Sequence, residues 1–158
     1  MKIRAFALVA VAAASLCPQV VSAQTVQALG LVGIREVGIL IERLDKGAAG
    51  CGVDTQTLTT SLKFVLQQSR IKISDNPDDK PYLYLNLNIL PDCTASVMLI
   101  LFAGATIDHT QRHVTANVWQ DGGLMTSYKH TARQRISNYV ESLAKKFVVD
   151  WNFANPHE

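Results

Sequence analysis

What this chain has little of constrains it first. Aromatic residues make up 7% of it, cysteine three positions and proline five, out of 158 residues. It contains no Gly-x-Ser-x-Gly elbow, no phosphate-cradling glycine loop and no cysteine beside a base. Carboxylates are sparse in the segments that alternate like strands, so a paired acid–base site is not indicated. The chemistry reads as non-catalytic, and neither a cofactor nor a metal is expected. The apolar stretches 5–16 and 95–107 both fall short of the roughly 20 residues a spanning helix needs.

What is present begins with the first 23 residues. Lys2 and Arg4 precede an apolar run from Ala5 to Leu16, and Val21-Ser22-Ala23 puts small residues where a leader peptidase reads them. This is the pattern of a cleaved export signal (1–23), leaving residues 24–158 as one small domain, periplasmic or secreted. A lipoprotein signal acylated at Cys17 is the competing reading. It wants a small residue before the cysteine, where this chain has Leu16.

Charge follows from the same cut. Lys2 and Arg4 leave with the leader, whereas all 13 acidic residues lie beyond it, so the 13 remaining Lys and Arg are balanced. A neutral domain lacks the positive field that binding to nucleic acids or anionic membranes usually needs. Nucleic acid is therefore not an expected partner, nor is stable membrane insertion once the leader is removed.

Along the mature chain, Val37, Ile39 and Ile41 alternate with Gly38, Leu40 and Glu42 as in a strand. Residues 45–52 have loop chemistry, with Asp45, Gly47 and Gly52. Asp54 or Thr55 can cap a helix carrying the stripe Leu58, Leu62, Val65, Leu66, which ends near Ser69. Ile71–Ile73 is a short strand, and residues 75–81, with two prolines and four Asx residues, are a turn. Leu83, Leu85, Leu87 and Ile89 then alternate with Tyr82, Tyr84, Asn86 and Asn88, the mark of a sheet with one covered and one wetter face. The apolar run 95–107 reads as a central strand that Gly104 bulges or ends. Residues 113–119 alternate again, closed by Asp121-Gly122-Gly123. Ile136, Val140, Leu143, Phe147 and Trp151 stripe a final long helix.

The order β-α-β-β-β-β-α predicts an α+β two-layer sandwich, a mostly antiparallel sheet with both helices on one face. Cys51 and Cys93 are the two cysteines that survive processing, and an oxidising compartment favours a disulfide. If every element reverses the one before it, with the first strand up, the helix down, the short strand up and the Tyr82 strand down, these residues instead fall at opposite ends of the sheet, about 20–30 Å apart. A bridge needs Cα atoms within about 7 Å, so redox chemistry and topology conflict at this point.

Three clusters invite a chemical reading. His109 and His113 lie four apart, but the strand-like alternation after them and the missing glutamate of a His-Glu-x-x-His motif make them solvated loop or edge residues. Asp75, Asp78 and Asp79 lack the late bidentate carboxylate of a calcium loop. Arg133, Arg135, Lys145 and Lys146 read as a solvated helix face. The better candidate is the outward set Tyr82, Tyr84, Asn86 and Asn88, with Asn117 and Trp119 on a neighbouring strand. Aromatics beside amides give large contact area at low entropy cost and hydrogen bonds at the rim, which suits a peptide, glycan or protein partner. Ordinary cross-strand pairing on a solvated face is the plain alternative.

The pieces Cys51-Gly52-Val53-Asp54, 81–88, Val118-Trp119 before Gly122-Gly123, and Asp150-Trp151-Asn152 resemble those of short exported proteobacterial proteins of no assigned function. The element order is similar to small periplasmic accessory domains. The resemblance implies export and a single small domain, and carries no catalytic residue. The expectation is a non-catalytic accessory protein binding a protein partner in the cell envelope. A small-ligand or glycan-binding module, with its pocket between sheet and helices, is the alternative.

Overall fold

The computed structural model describes residues 29–75 and 81–156. The leader, Cys17, Asp78 and Asp79 therefore lie outside the described residues. Eight elements follow in order: β1 (Glu36–Ile41), α1 (Lys46–Gly50), α2 (Thr55–Gln67), β2 (Lys72–Ser74), β3 (Tyr82–Ile89), β4 (Ala95–Ile107), β5 (Arg112–Met125) and α3 (Ala132–Ala154). The strands form one sheet, β2-β1-β3-β4-β5, with the helices on one face. This is the expected α+β sandwich.

The sheet is mixed. β1 pairs parallel with β2 over three positions and with β3 over four. β3–β4 and β4–β5 pair antiparallel over eight and thirteen. β2 ends and β3 begins at the level of Gly38, so the link between them has no strand length to climb. Because β3 runs with β1, Cys93 emerges at the same end as Cys51. The two are bonded, with Cα atoms 5.8 Å apart. Chain direction at β3 was the error behind the conflict, and the redox argument holds.

Side-chain alternation sorts the faces. Leu83, Leu85, Leu87 and Ile89 are buried against the helices, together with Ala95, Val97, Leu99 and Leu101 opposite them. The stripe of α3 closes over this layer, with Ile136, Val140 and Phe147 at 0% exposure. Asp54 is the cap of α2, its carboxylate accepting the Thr57 N–H at 2.7 Å. Thr57's backbone N–H first, and then its hydroxyl, hold that carboxyl below its ordinary value.

Three expectations of the sequence need correction. Residues 46–50 are a short helix rather than loop, started by Asp45 accepting the Ala48 N–H at 3.0 Å. Gly47 is required there, since a Cβ would collide with the Ile89 carbonyl. β5 does not close at Gly122-Gly123 but continues to Met125, Gly122 lying tight against the Val97 carbonyl and Met98. Gly104 neither bulges nor ends β4. The irregularity lies opposite Leu101/Phe102, where Val118 is the extra residue of β5.

Candidate functional site

The face of the sheet away from the helices gathers Tyr82, Tyr84, Asn86 and Asn88 as expected, because alternate residues of β3 share a side. Register brings Phe102 opposite Tyr82, Ile100 opposite Tyr84 and Met98 opposite Asn86 on β4, with Leu40 of β1 beside Tyr84. The Tyr82 and Phe102 rings stack at 5.4 Å, and Tyr84 meets Phe102 edge-on at 6.1 Å. Leu40 stays 42% exposed. A polar ladder borders this patch: Asn86 donates to the Glu42 carboxylate, and Asn88 donates to the Asn86 carbonyl at 3.1 Å. Asn117 and Gln120 edge it on β5, joined at 2.6 Å.

Trp119 does not belong to this surface. It is 1% exposed on the helix side, where its ring meets Phe147 at 5.1 Å and its indole N–H donates to Asp150 at 2.8 Å. The bulge is the reason. Asn117 pairs with Phe102 on the open face, and one extra residue later Trp119 pairs with Leu101 on the core face. A strict alternation would put 117 and 119 together, and the inserted Val118 flips the second of them.

Sequence reasoning missed Met98, Ile100 and Phe102. They sit in a strand that is apolar on both faces, so nothing in its polarity marks which residues turn outward. Only the β3–β4 register does.

The other clusters resolve as follows. His109 lies in the exposed turn after β4, and His113 Nδ1 meets the Thr106 hydroxyl at 3.0 Å. Among the described residues no three His, Cys, Asp or Glu side chains gather as a metal site. Of the cations on α3, three meet carboxylates of the same chain rather than being merely solvated. Arg133 reaches Asp54 at 3.4 Å, Lys146 reaches Asp121 at 2.5 Å, and Lys145 reaches Glu141 on its own helix at 4.0 Å. The space between sheet and helices, where a ligand pocket was expected under the alternative reading, is filled by Leu58, Leu62, Leu99 and Phe147 at 0% exposure. Among the described residues no helix is long and apolar enough to cross a membrane.

The Lys146–Asp121 contact ties α3 to β5, and it titrates. The hydrogen bond to Asp121 raises the Lys146 pKa above 10.5, ahead of its attraction to Asp121 and Asp150. A raised folded value means that its stabilisation is complete below the ordinary lysine range and disappears as pH climbs through the folded value. Both side chains are partly exposed, so the effect is small, about 1 kcal/mol or less. The difference in thermal midpoint between wild type and Lys146→Met is expected to hold from neutral pH to the ordinary lysine value of 10.5 and to close above it. A difference that widens above that value would contradict the contact.

No protein-family model and no curated protein matches the chain. Among solved structures it is similar to a minor lipoprotein from Acinetobacter baumannii, with 15% identity, 78% of this chain and 94% of that chain covered, and a TM-score of 0.31. At that score the likeness brings nothing of that protein's role to this chain.

Proposed function

We propose that this is a non-catalytic accessory protein of the cell envelope, exported to the periplasm or secreted, which holds a protein partner on the open face of its sheet. The observation that carries this reading is the aromatic and aliphatic surface formed by Tyr82, Tyr84, Ile100, Phe102 and Leu40, with no layer packed on it among the described residues. Contiguous apolar surface rimmed by polar groups is how soluble proteins present a binding site. Aromatic rings supply contact area at low entropy cost, and the amides of Asn86, Asn88 and Asn117 supply a hydrogen-bonding rim. The leader pattern and the Cys51–Cys93 bridge support an oxidising address.

The test is a photo-reactive side chain at position 84 of the exported protein in its native cells, with the same group at Thr60 on the exposed side of α2 as the comparison. Adducts to a discrete envelope protein are expected from position 84 and not from position 60. The double variant Tyr84→Ala, Phe102→Ala should keep the fold and lower recovery of that partner at least about tenfold, as loss of aromatic anchors does. Equal adducts from both positions, or undiminished recovery with the double variant, would remove the face assignment.

A further inference from the structure

The two edges of the sheet are not alike. β2 is only three residues long, with Lys72 at its start, and short charged edges resist pairing. β5 is the other edge and runs for fourteen residues. Its second half is closed to a further strand. Val118 bulges out of register, the Asp121 carboxylate accepts the Gly122 N–H at 2.7 Å, and Lys146 reaches Asp121 from α3.

The first half has none of these devices. β3 begins at Tyr82, opposite Phe102, whereas β4 continues to Ile107, so the tip of the β4–β5 hairpin extends past the rest of the sheet. Arg112 to Thr115 and Asn117 are exposed there. The stretch is bracketed by the turn residue Gln111, at φ 52°, and by the bulge at Val118. Hydrogen bonding alternates along an antiparallel ladder from the Ile107–Arg112 closure, so His113, Thr115 and Asn117 direct their N–H and C=O groups away from β4. Ala105, Ile107 and Val114 form one face of this arm; Thr106, His113 and Thr115 form the other.

We propose that residues 113–117 pair antiparallel with the same residues of a second copy of this chain, about a twofold axis at Thr115. The sheets of the two copies then become continuous. A second copy fits this stretch for two reasons. Thr115 is the middle one of the three outward-directed residues His113, Thr115 and Asn117, so self-pairing uses all of them and makes about six backbone hydrogen bonds, two at each outward-directed pair. In that register Val114 lies beside the partner subunit's Ala116 on the apolar side. The two Arg112 side chains fall at opposite ends, about 20 Å apart by strand rise, so like charges do not meet. This inference does not depend on what occupies the open face.

Sedimentation velocity of the exported protein, from roughly 5 to 500 µM, should show a concentration-dependent shift from monomer to dimer. Thr115→Pro removes an N–H that points away from β4 and leaves the β4 ladder whole, as edge prolines do. It should weaken dimerisation at least about tenfold while the thermal midpoint stays near wild type. Thr115→Cys supplies a second reading. Across a hydrogen-bonded antiparallel pair Cα atoms lie about 5.5 Å apart, within reach of a disulfide. Oxidation should therefore give a covalent dimer of Thr115→Cys on a non-reducing gel and not of Gln120→Cys. A single monomeric species at the highest concentration overturns the proposal. So does dimerisation that survives Thr115→Pro, or a dimer in which Thr115→Cys fails to cross-link.

Discussion

Leu85→Asp should abolish folding, read as loss of the cooperative unfolding transition and of soluble exported protein. Leu85 lies in β3, flanked by Ile41 on β1 and Leu99 on β4, at 0% exposure. Removing the aliphatic side chain alone costs about 2–5 kcal/mol in a packed core. The new carboxylate adds several kcal/mol more, either as an unpaired buried charge or as a proton taken up against the solution pH. Against a total stability of about 5–15 kcal/mol for a domain, the sum removes most or all of the folded state. Asn88→Asp in the same strand is the internal comparison. Asn88 is exposed on the open face, and its amide gives up one bond, to Asn86. Its loss is expected to stay within about 1 kcal/mol, as for a surface polar contact. If Leu85→Asp folds normally, the assignment of the two faces of β3 fails.

That contrast marks where the sequence is informative. The alternation in 82–89 and the stripe on α3 are local patterns repeated over many residues, and each places its whole set of side chains on one side. Both faces of β3 and the buried stripe of α3 were readable for that reason. Strand direction is not a local property. Nothing within 82–89 says whether it runs with β1 or against it, and the assumption of reversal at every step put Cys93 at the wrong end. The element α1 was invisible for a different reason. Lys46-Gly47-Ala48-Ala49-Gly50 has two glycines and little helix preference, and it forms because Asp45 caps it and Ile89 lies close enough to demand Gly47.

The candidate surface was half legible on the same grounds. Tyr82, Tyr84, Asn86 and Asn88 declare their side because polar and aliphatic residues alternate. Met98, Ile100 and Phe102 do not, since their neighbours in β4 are equally apolar. Trp119 was misplaced by a single residue: 113–119 looks regular, and the extra Val118 shows only when β5 is laid against β4. A bulge changes the facing of everything beyond it while leaving the composition of the strand untouched. The same Val118 also marks where the open edge of β5 stops.

Replacing both cysteines, Cys51→Ala with Cys93→Ala, should leave the domain folded but cost about 4 kcal/mol, the chain-entropy value for a loop of this size. The bridge spans 42 residues of sequence and pins the end of α1 to the β3–β4 turn. Those 42 residues contain α2, β2 and β3, so without the bridge the unfolded chain regains the freedom of its longest ordered excursion before β4. Alanine is the right replacement at both places. Cys51 and Cys93 are 2% and 1% exposed, so a polar residue would add its own burial cost. Cys93 has φ 64°, and alanine keeps that left-handed strain where glycine would relieve it and mask part of the loss. The thermal midpoint should fall by on the order of 15 °C for a domain of this length. Wild-type protein unfolded in the presence of a thiol reductant should approach the same midpoint, because reduction also removes the cross-link. A double variant that melts within a few degrees of oxidised wild type would mean that the parallel β1–β3 ladder brings the two ends together unaided.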